Sequence, residues 1–484
     1  MPEAFDLLFR GGTVIDGTGA PAVAADVAVA GDRIAAVGNL RNARAKETID
    51  ARGRVVAPGF IDVHTHDDRA LLSNPDMAMK TSQGVTTVVV GNCGVSLSPL
   101  TIDKRPPPPL DLLGDRDWYR FPRMADYMAA VDAAPAAVNA ACLVGHSTLR
   151  VGAMSDLTRG ANAEEIDRMR AGLAEALDAG AIGLSTGLFY RPANAAPTEE
   201  VIALAALLKP AGAIYTTHMR DEADDVMASL DETFRIGREA GVRAIVSHHK
   251  VTGKANFGRS VETLALIERT HGQQDIGLDC YPYIAASTVL DGNRLERSSR
   301  IMVTWSTPHP EMSGRDLADI AAEWGISQIE AVDRLNPAGA IYFMMDEADV
   351  RRILAYPNTI VASDGLPHDA HPHPRLWGTF PRVLGHYARE IGLFPLEEAV
   401  RRMTGLPAER FGLTGRGVIR ADAFADLTIF DPDAIIDTAT FAAPATPARG
   451  IDRVYVNGRL VWREGASTGR HPGRLLRRQA LKAA

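Results

Sequence analysis

The stretch Gly59-Phe60-Ile61-Asp62-Val63-His64-Thr65-His66-Asp67-Asp68 decides how this chain is read. After Pro58 its first half is a short apolar run of strand character, and its second half ends in two histidines spaced by two. Side chains alternate along a strand, so His64 and His66 project to one side, where a single cation can meet both. A lone histidine at a strand end is most often an ordinary polar residue. Two on one face of an apolar strand, followed by two carboxylates, point instead to a metal site whose other ligands come from elsewhere.

Outward from that stretch, the chain from about Pro58 to Gly412 repeats strand, loop and helix. Candidate strands run Gly59 to Val63, Thr86 to Val90, Asn139 to Val144, Ala181 to Ser185, Ala213 to Thr217, Ala244 to Ser247, Gly277 to Cys280 and Thr359 to Ala362. Amphipathic segments such as Ala163 to Ala179 and Leu230 to Ala240 lie between them, each ending near a glycine. Eight strands alternating with helices is the count of a closed (β/α)8 TIM-like barrel, although a doubly wound open sheet carries the same signature. About eighty positions separate Cys280 from Thr359, which predicts a rim insertion over about 284–345 with a helix from Ser313 to Trp324. Pro106 to Pro109 reads as a stiff loop after the second strand.

The two ends look different. Phe5 to Val56 gives short alternating runs separated by Gly-Gly, Asp-Gly and Gly-Asp turns, the signature of a small antiparallel sheet. Asp426 to Asp431, and Val454 to Trp462 with its Asn457-Gly458 turn, repeat the pattern near the other end. Neither is large enough alone, so 1–58 and 413–484 are expected to form one small β-sandwich domain, with the barrel of 59–412 inserted between its halves.

Apolar content of 46% and charged content of 23% describe an ordinary globular protein. A net charge of -8 and a pI near 5.9 argue against a nucleic-acid partner or an anionic membrane surface, both of which want a basic face. The Arg-rich run from Arg470 to Lys482 is expected to be a solvated tail. Three cysteines support no disulfide framework and suit a reducing compartment. With no leader-like segment and no twenty-residue apolar run, the expected location is the cytoplasm.

Barrel chemistry sits at the carboxyl ends of the strands, and there the polar residues coincide. His64 and His66 follow the first strand, Cys93 the second, His146 the third, Ser185 and Thr186 the fourth, His218 the fifth, His248 with His249 and Lys250 the sixth, Asp279 to Tyr283 the seventh and Asp364 the eighth. Each alone reads as a structural or surface group. Together the imidazoles, a thiol and a carboxylate suit zinc, which prefers nitrogen and thiolate donors. Cys142 and Cys280 lie inside apolar strands and read as inert, His249 should face away from His248, and His146 stays ambiguous. A zinc ion with an open position polarises a carbonyl and lowers the pKa of bound water to about 7, and Asp364 suits the proton transfers that amide hydrolysis also needs.

This constellation resembles the amidohydrolase superfamily, whose hallmark is the first-strand His64-Thr65-His66 with His218, His248 and Asp364 on the fifth, sixth and eighth strands. The resemblance spans essentially the whole chain and implies a distorted barrel carrying a β-sandwich built from both chain ends. Binuclear members usually carry a metal-bridging lysine on the fourth strand, and Ala181 to Gly187 has none. Cys93 in Gly91-Asn92-Cys93-Gly94, with Thr217 to Glu222, Ser247 to Lys250, Tyr342 to Glu347 and Ser363 to His368, is similar to the N-acyl-D-amino acid deacylases.

That family resemblance implies one tight zinc held by Cys93, His218 and His248, and a weaker second position at His64 and His66 that shares Cys93. It makes Asp364 the general base and acid, and places Lys250, Tyr281, Ser287 and Arg375 at the substrate carboxylate. Phe189, Tyr342 and Met345 would line the side-chain pocket. The implied partner is a small N-acyl-D-amino acid, with neutral or hydrophobic side chains expected because no extra basic residue is evident in the pocket; the oligomeric state stays open. The alternatives are a cyclic amide hydrolase of the hydantoinase or dihydroorotase kind, disfavoured by the absent lysine, and a non-catalytic zinc-stabilised binding protein. The C-terminal segment departs from the family at Arg420-Ala421-Asp422-Ala423, where an aspartate replaces the usual glycine turn and a local strain is expected.

Overall fold

The computed structural model describes residues 5–478. Eight parallel strands form one sheet: β1 (Phe60–Asp62), β2 (Val85–Val90), β3 (Asn139–Gly145), β4 (Gly183–Gly187), β5 (Ile214–His218), β6 (Ala244–Val246), β7 (Ile276–Cys280) and β8 (Thr359–Val361). They are ordered as in the sequence, each paired in parallel with the next up to β7 and then β8. The Asp364 amide donates to the His64 carbonyl at 2.9 Å and Thr65 bridges Gly365, joining the two edges. This closed order selects the barrel over the open sheet. β4 starts two residues later than the sequence suggested, so Ser185 and Thr186 lie in the strand itself.

Alternate positions on the strands build two cores. Val88, Val144, Leu184, Val246 and Leu278 pack outward on helix residues such as Leu173 and Leu230. Val89, Leu143, Ile182, Ile214, Ile245 and Ile360 form a separate interior cluster capped by Leu406, Phe411 and Leu413. The lower barrel is therefore filled, and polar side chains are left to its carboxyl end. The covering helices carry the expected stops and starts. Asn162 and Glu165 form a capping box ahead of Ala163–Ala179, which ends at Gly180, while Val226–Ala240 ends at Gly241; both glycines are left-handed.

The insertion after β7 is more than a loop with a helix. Ala285–Val289, Arg300–Ser306 and Ala338–Phe343 form a three-stranded antiparallel sheet, covered by helices Leu317–Trp324 and Gln328–Leu335. It has its own core, including Val303, Leu317, Ile320, Val332 and Leu335.

Both ends of the chain enter one nine-stranded sheet, where Leu427–Phe430 pairs antiparallel with Val55–Pro58. The sheet is mixed, against the antiparallel expectation. Ala45–Asp50 and Val55–Pro58 run parallel to the first and second halves of Phe5–Val14. Alternation fixes which face of a strand is buried, but the direction of its partner follows from the route of the chain, which local pattern does not encode. Asp422 takes a φ of 66°, as the missing glycine suggested. Its amide donates to Ile34 and its carbonyl accepts from Arg33, which hold the left-handed turn.

The Arg-rich segment is a strap rather than a solvated tail over its described part, Arg470 to Arg478; Gln479 to Lys482 lie outside the described residues. Ala140 and Leu476 exchange backbone hydrogen bonds with the strap and β3, Arg474 and Arg477 pair with Asp32 and Asp132, and Arg478 donates to carbonyls of Leu177 and Ala211 near helix ends. Helix carboxyl ends present unpaired carbonyls, so arginine there is stabilising. Among the described residues no helix is long and apolar enough to cross a membrane.

Candidate active site

The sharp turns after the strands bring the predicted metal residues together. Cys93 and His248 both adopt left-handed backbones, with φ of 53° and 37°. Each is held by buried hydrogen bonds: Asn92 Nδ2 donates to the carbonyls of Val63 and Val89, Gly94 N donates to Ser185, and His248 N donates to Asp279 at 2.8 Å. Two overlapping donor sets result, Cys93 with His218 and His248, and His64 with His66, Cys93 and Asp364.

In the first set, His248 Nε2 is 2.8 Å from His218 Nδ1 and 3.3 Å from Cys93 Sγ. In the second, His64 Nε2 is 3.1 Å from Cys93 Sγ, and His66 Nε2 is 3.3 Å from Asp364 Oδ1. Ligands placed tetrahedrally around zinc at its usual bond lengths lie about 3.3–3.7 Å apart. A soft anionic sulfur with two buried imidazole nitrogens suits zinc by donor type; the Cys93–His248 pair stands at that spacing, while the His218–His248 pair at 2.8 Å is closer than bound ligands lie.

Charges in the site agree with that use. Burial opposes ionisation of Cys93, but the adjoining His64 and His248, with hydrogen bonds from His218 and His248, hold the thiol well below its ordinary range. Burial also opposes ionisation of Asp364, and the Arg375 guanidinium, aided by His66 and His64, still holds it well below the carboxylate range. Cys142 and Cys280 show the contrast, since burial pushes both thiols up. Two carboxylates stand behind the histidines. Asp279 lies 3.3 Å from His64 Nδ1, the arrangement that fixes an imidazole tautomer behind a metal, while His248 Nδ1 faces both Glu222 at 3.0 Å and the Lys250 ammonium at 2.6 Å.

The amidohydrolase family profile matches residues 47–251 and 309–462. A D-aminoacylase of Alcaligenes xylosoxydans xylosoxydans is 59% identical over 478 residues, covering 99% of each chain. The chain belongs to the D-aminoacylase family of amidohydrolases. Solved structures of a D-aminoacylase superpose with a TM-score of 0.96 at 58% identity, covering 98% of this chain and 100% of theirs; one is described as a binuclear centre with one-metal activation and second-metal attenuation. An N-acyl-D-glutamate deacylase of Bordetella bronchiseptica, complexed with zinc and a phosphonate mimic of the tetrahedral intermediate, gives 0.95 at 49% identity, with 98% and 100% covered.

In this family member the expected carboxylate-binding residues fall in two groups. Lys250, Tyr281 and Ser287 line the same cavity as the metal donors. Arg375 lies beside it, its Nη2 2.9 Å from Asp364 Oδ2 and its guanidinium 4.4 Å from the Tyr281 ring centroid. Tyr281 Oη, Ser287 Oγ and Arg375 Nε and Nη1 are buried without partners, a set of donors suited to an anion. Lys250 is committed, donating to Glu222 at 2.7 Å and to the His248 carbonyl at 2.9 Å.

The expected side-chain pocket is not gathered in one place. Tyr342 is fully buried, its hydroxyl donating to the Val289 carbonyl and accepting from the Asp291 amide. Phe189 lies in a neighbouring cavity with Glu222 and Met344, and Met345 borders a third behind Tyr281. Between Phe189 and Tyr342 stands Arg294, 4.5 and 5.2 Å from their ring centroids, which sequence reading missed. It sits deep in the rim insertion, where no barrel periodicity marks a site. Glu222 was visible as the last residue of His218-Met219-Arg220-Asp221-Glu222, but nothing local ties it to His248.

His146 is structural in geometry, pairing with Glu200, which also binds Arg150. His249 turns away from the metal donors to Thr263 Oγ1 at 2.9 Å, and burial pushes its pKa down to about 4. The fold therefore keeps it neutral. Its stability contribution is complete above the unfolded value of about 6.5 and is lost as pH falls from there to about 4, by about 3 kcal/mol. Urea unfolding of the metal-free protein from pH 7 to 4.5 should show a shallower acid loss in His249→Asn than in wild type; parallel curves would reject this assignment.

Proposed function

We propose that this chain is a zinc-dependent deacylase that hydrolyses N-acyl-D-amino acids to a carboxylate and the free D-amino acid. The observation that carries it is the convergence of Cys93 Sγ, His218 Nδ1 and His248 Nε2 beside ionised Asp364, with no lysine on β4. Zinc bound there supplies Lewis acidity, polarising the acyl carbonyl and lowering the pKa of water to about 7. Asp364 takes a proton from the attacking water at its carboxylate and passes it to the departing amine nitrogen. The free donors of Tyr281, Ser287 and Arg375 receive the substrate carboxylate, whose charge matches the guanidinium. His64 and His66 form the weaker metal position. The three free cysteines suit a reducing compartment, and we place the enzyme in the cytoplasm.

A panel of N-acetyl-D- and N-acetyl-L-amino acids, with metal analysis of the same preparation, tests the reading. Cleavage of D-substrates with about one tight zinc per chain is expected; cleavage of L-substrates alone would reject it.

The side-chain preference needs a different account from the neutral one expected from sequence, whose premise was a pocket without an added base. Arg294 lines the cavity, its Nε has no partner, and its one side-chain polar contact among the described residues is the Met344 sulfur at 3.8 Å. We propose that Arg294 favours D-side chains ending in a hydrogen-bond acceptor. A charge-assisted hydrogen bond contributes about 1.5–3 kcal/mol, or about tenfold to a hundredfold in discrimination. Arg294→Met should lower the ratio of kcat/KM for N-acetyl-D-glutamate to that for N-acetyl-D-leucine by at least about tenfold, and an unchanged ratio would remove the residue from specificity.

A further inference from the structure

Asp364 is the third residue of the site with a left-handed backbone, at φ 49°. Only a small fraction of non-glycine residues adopt this conformation, and the surroundings must hold it against a cost of about 1–3 kcal/mol. The usual support is absent. Every other neighbouring pair of barrel strands shares a register of at least three residue pairs. Between the first and eighth strands there is only the Thr65 to Gly365 bridge, with the Asp364 amide bonded to His64.

A buried side-chain bracket occupies this weak seam. Asp62, the last residue of β1, accepts the Ser363 amide at 2.9 Å on Oδ1 and the Ser363 hydroxyl at 2.6 Å on Oδ2. Ser363 Oγ in turn accepts from the Gly365 amide at 3.1 Å, so both peptide neighbours of Asp364 are tied to it. Lys80 Nζ donates to Asp62 Oδ2 at 2.8 Å and to Ser363 Oγ at 3.0 Å, and lies 3.3 Å from Asp67 Oδ2. Lys80, Asp62, Asp67 and Ser363 are all fully buried, and Lys80 borders none of the cavities of the site. An ion pair excluded from water, replaceable in principle by apolar side chains, is weak evidence for stability alone. Here it is fastened to the residue preceding the proton-transfer group.

We propose that Lys80, Asp62 and Ser363 form a positioning bracket that holds Asp364 in its left-handed conformation, with Oδ1 3.3 Å from His66 Nε2 and Oδ2 2.9 Å from Arg375. The bracket deepens the deacylase reading and rests on it for the identity of the reaction. Its action on Asp364 geometry does not depend on the substrate. A displacement of about 1 Å at a reacting group costs on the order of a hundredfold in rate, so loosening the bracket should appear in kcat.

The test compares Ser363→Ala, Ser363→Thr and Lys80→Met as zinc-loaded enzymes. Ser363→Ala cuts the link to the eighth strand while leaving the Lys80 and Asp62 charges paired, so it should fold even if Lys80→Met does not. Expected for Ser363→Ala are a kcat lowered at least about tenfold, KM within about twofold and unchanged tight zinc. Ser363→Thr, which keeps the hydroxyl, should recover most of the kcat. A wild-type kcat in Ser363→Ala, or a Ser363→Thr as impaired as Ser363→Ala, would overturn the bracket. If the wild-type enzyme cleaves no N-acyl-D-amino acid, the deacylase reading fails instead, and a crystal structure of Ser363→Ala decides the bracket alone: Asp364 leaving the left-handed region supports it, and an unchanged Asp364 overturns it.

Discussion

Asp364→Asn is expected to retain tight zinc near one per chain while kcat for an N-acetyl-D-amino acid falls by at least about a thousandfold. Asparagine is nearly isosteric with aspartate and is among the residues that best tolerate a left-handed backbone, so the φ of 49° can persist. Its amide has no basic oxygen to accept a proton from water and no acid proton to return to the leaving amine. General acid-base catalysis contributes roughly 100- to 10,000-fold per group, and here one group serves both steps. The donor set Cys93, His218 and His248 does not include Asp364, so metal content should be spared. Zinc stoichiometry by mass spectrometry with steady-state kinetics separates the outcomes, and near-wild-type turnover would remove Asp364 from proton transfer.

Cys93→Ala should abolish both tight zinc and activity, whereas His64→Asn should lower activity more than it lowers zinc. Cys93 is the residue common to the two candidate donor sets, and a thiolate there would be an anionic donor that neutral imidazoles cannot replace. Alanine also carries a Cβ, so the strain at φ 53° is the same before and after, and the lost sulfur is the main change. Removing zinc from the wild-type protein with a chelator should mimic the loss of activity with little change in Tm, because the filled barrel interior and the outer core do not involve the ion. If Cys93→Ala keeps a full equivalent of zinc, or chelation unfolds the protein, the ligand assignment or the catalytic reading fails respectively.

Several parts of this site were legible because they are properties of single strands. His64 and His66 announce themselves by a spacing of two, and Cys93, His218, His248 and Asp364 by following apolar runs in a repeating pattern. The residues that orient them were not legible in the same way. Glu222 acts on His248 across a loop, Asp279 reaches from the seventh strand to both His64 and His248, and Lys80 lies on a short helix after the first strand. Glu222 and Lys80 have no periodicity that marks them, and Asp279, marked as following the seventh strand, has no local tie to either histidine. Arg294 was missed because its insertion folds as a separate three-stranded sheet whose packing against the barrel mouth has no sequence signature. The Arg-rich strap was misread because charge alone suggests solvation, while its partners Asp32, Asp132 and two helix ends lie far away in sequence.

By itself the sequence determined the eight-strand alternation, the pairing of both chain ends in one sheet, and the candidate donors that the structure brings together, because each follows from local periodicity, turn chemistry or a motif. Tertiary structure alone decided that the barrel closes through a single bridge and one backbone hydrogen bond backed by the Asp62–Ser363 contacts, and that an unpaired guanidinium borders the cavity of the metal donors. These depend on distances between residues up to about 300 positions apart, set by which strands meet when the sheet closes, and no local pattern carries that information.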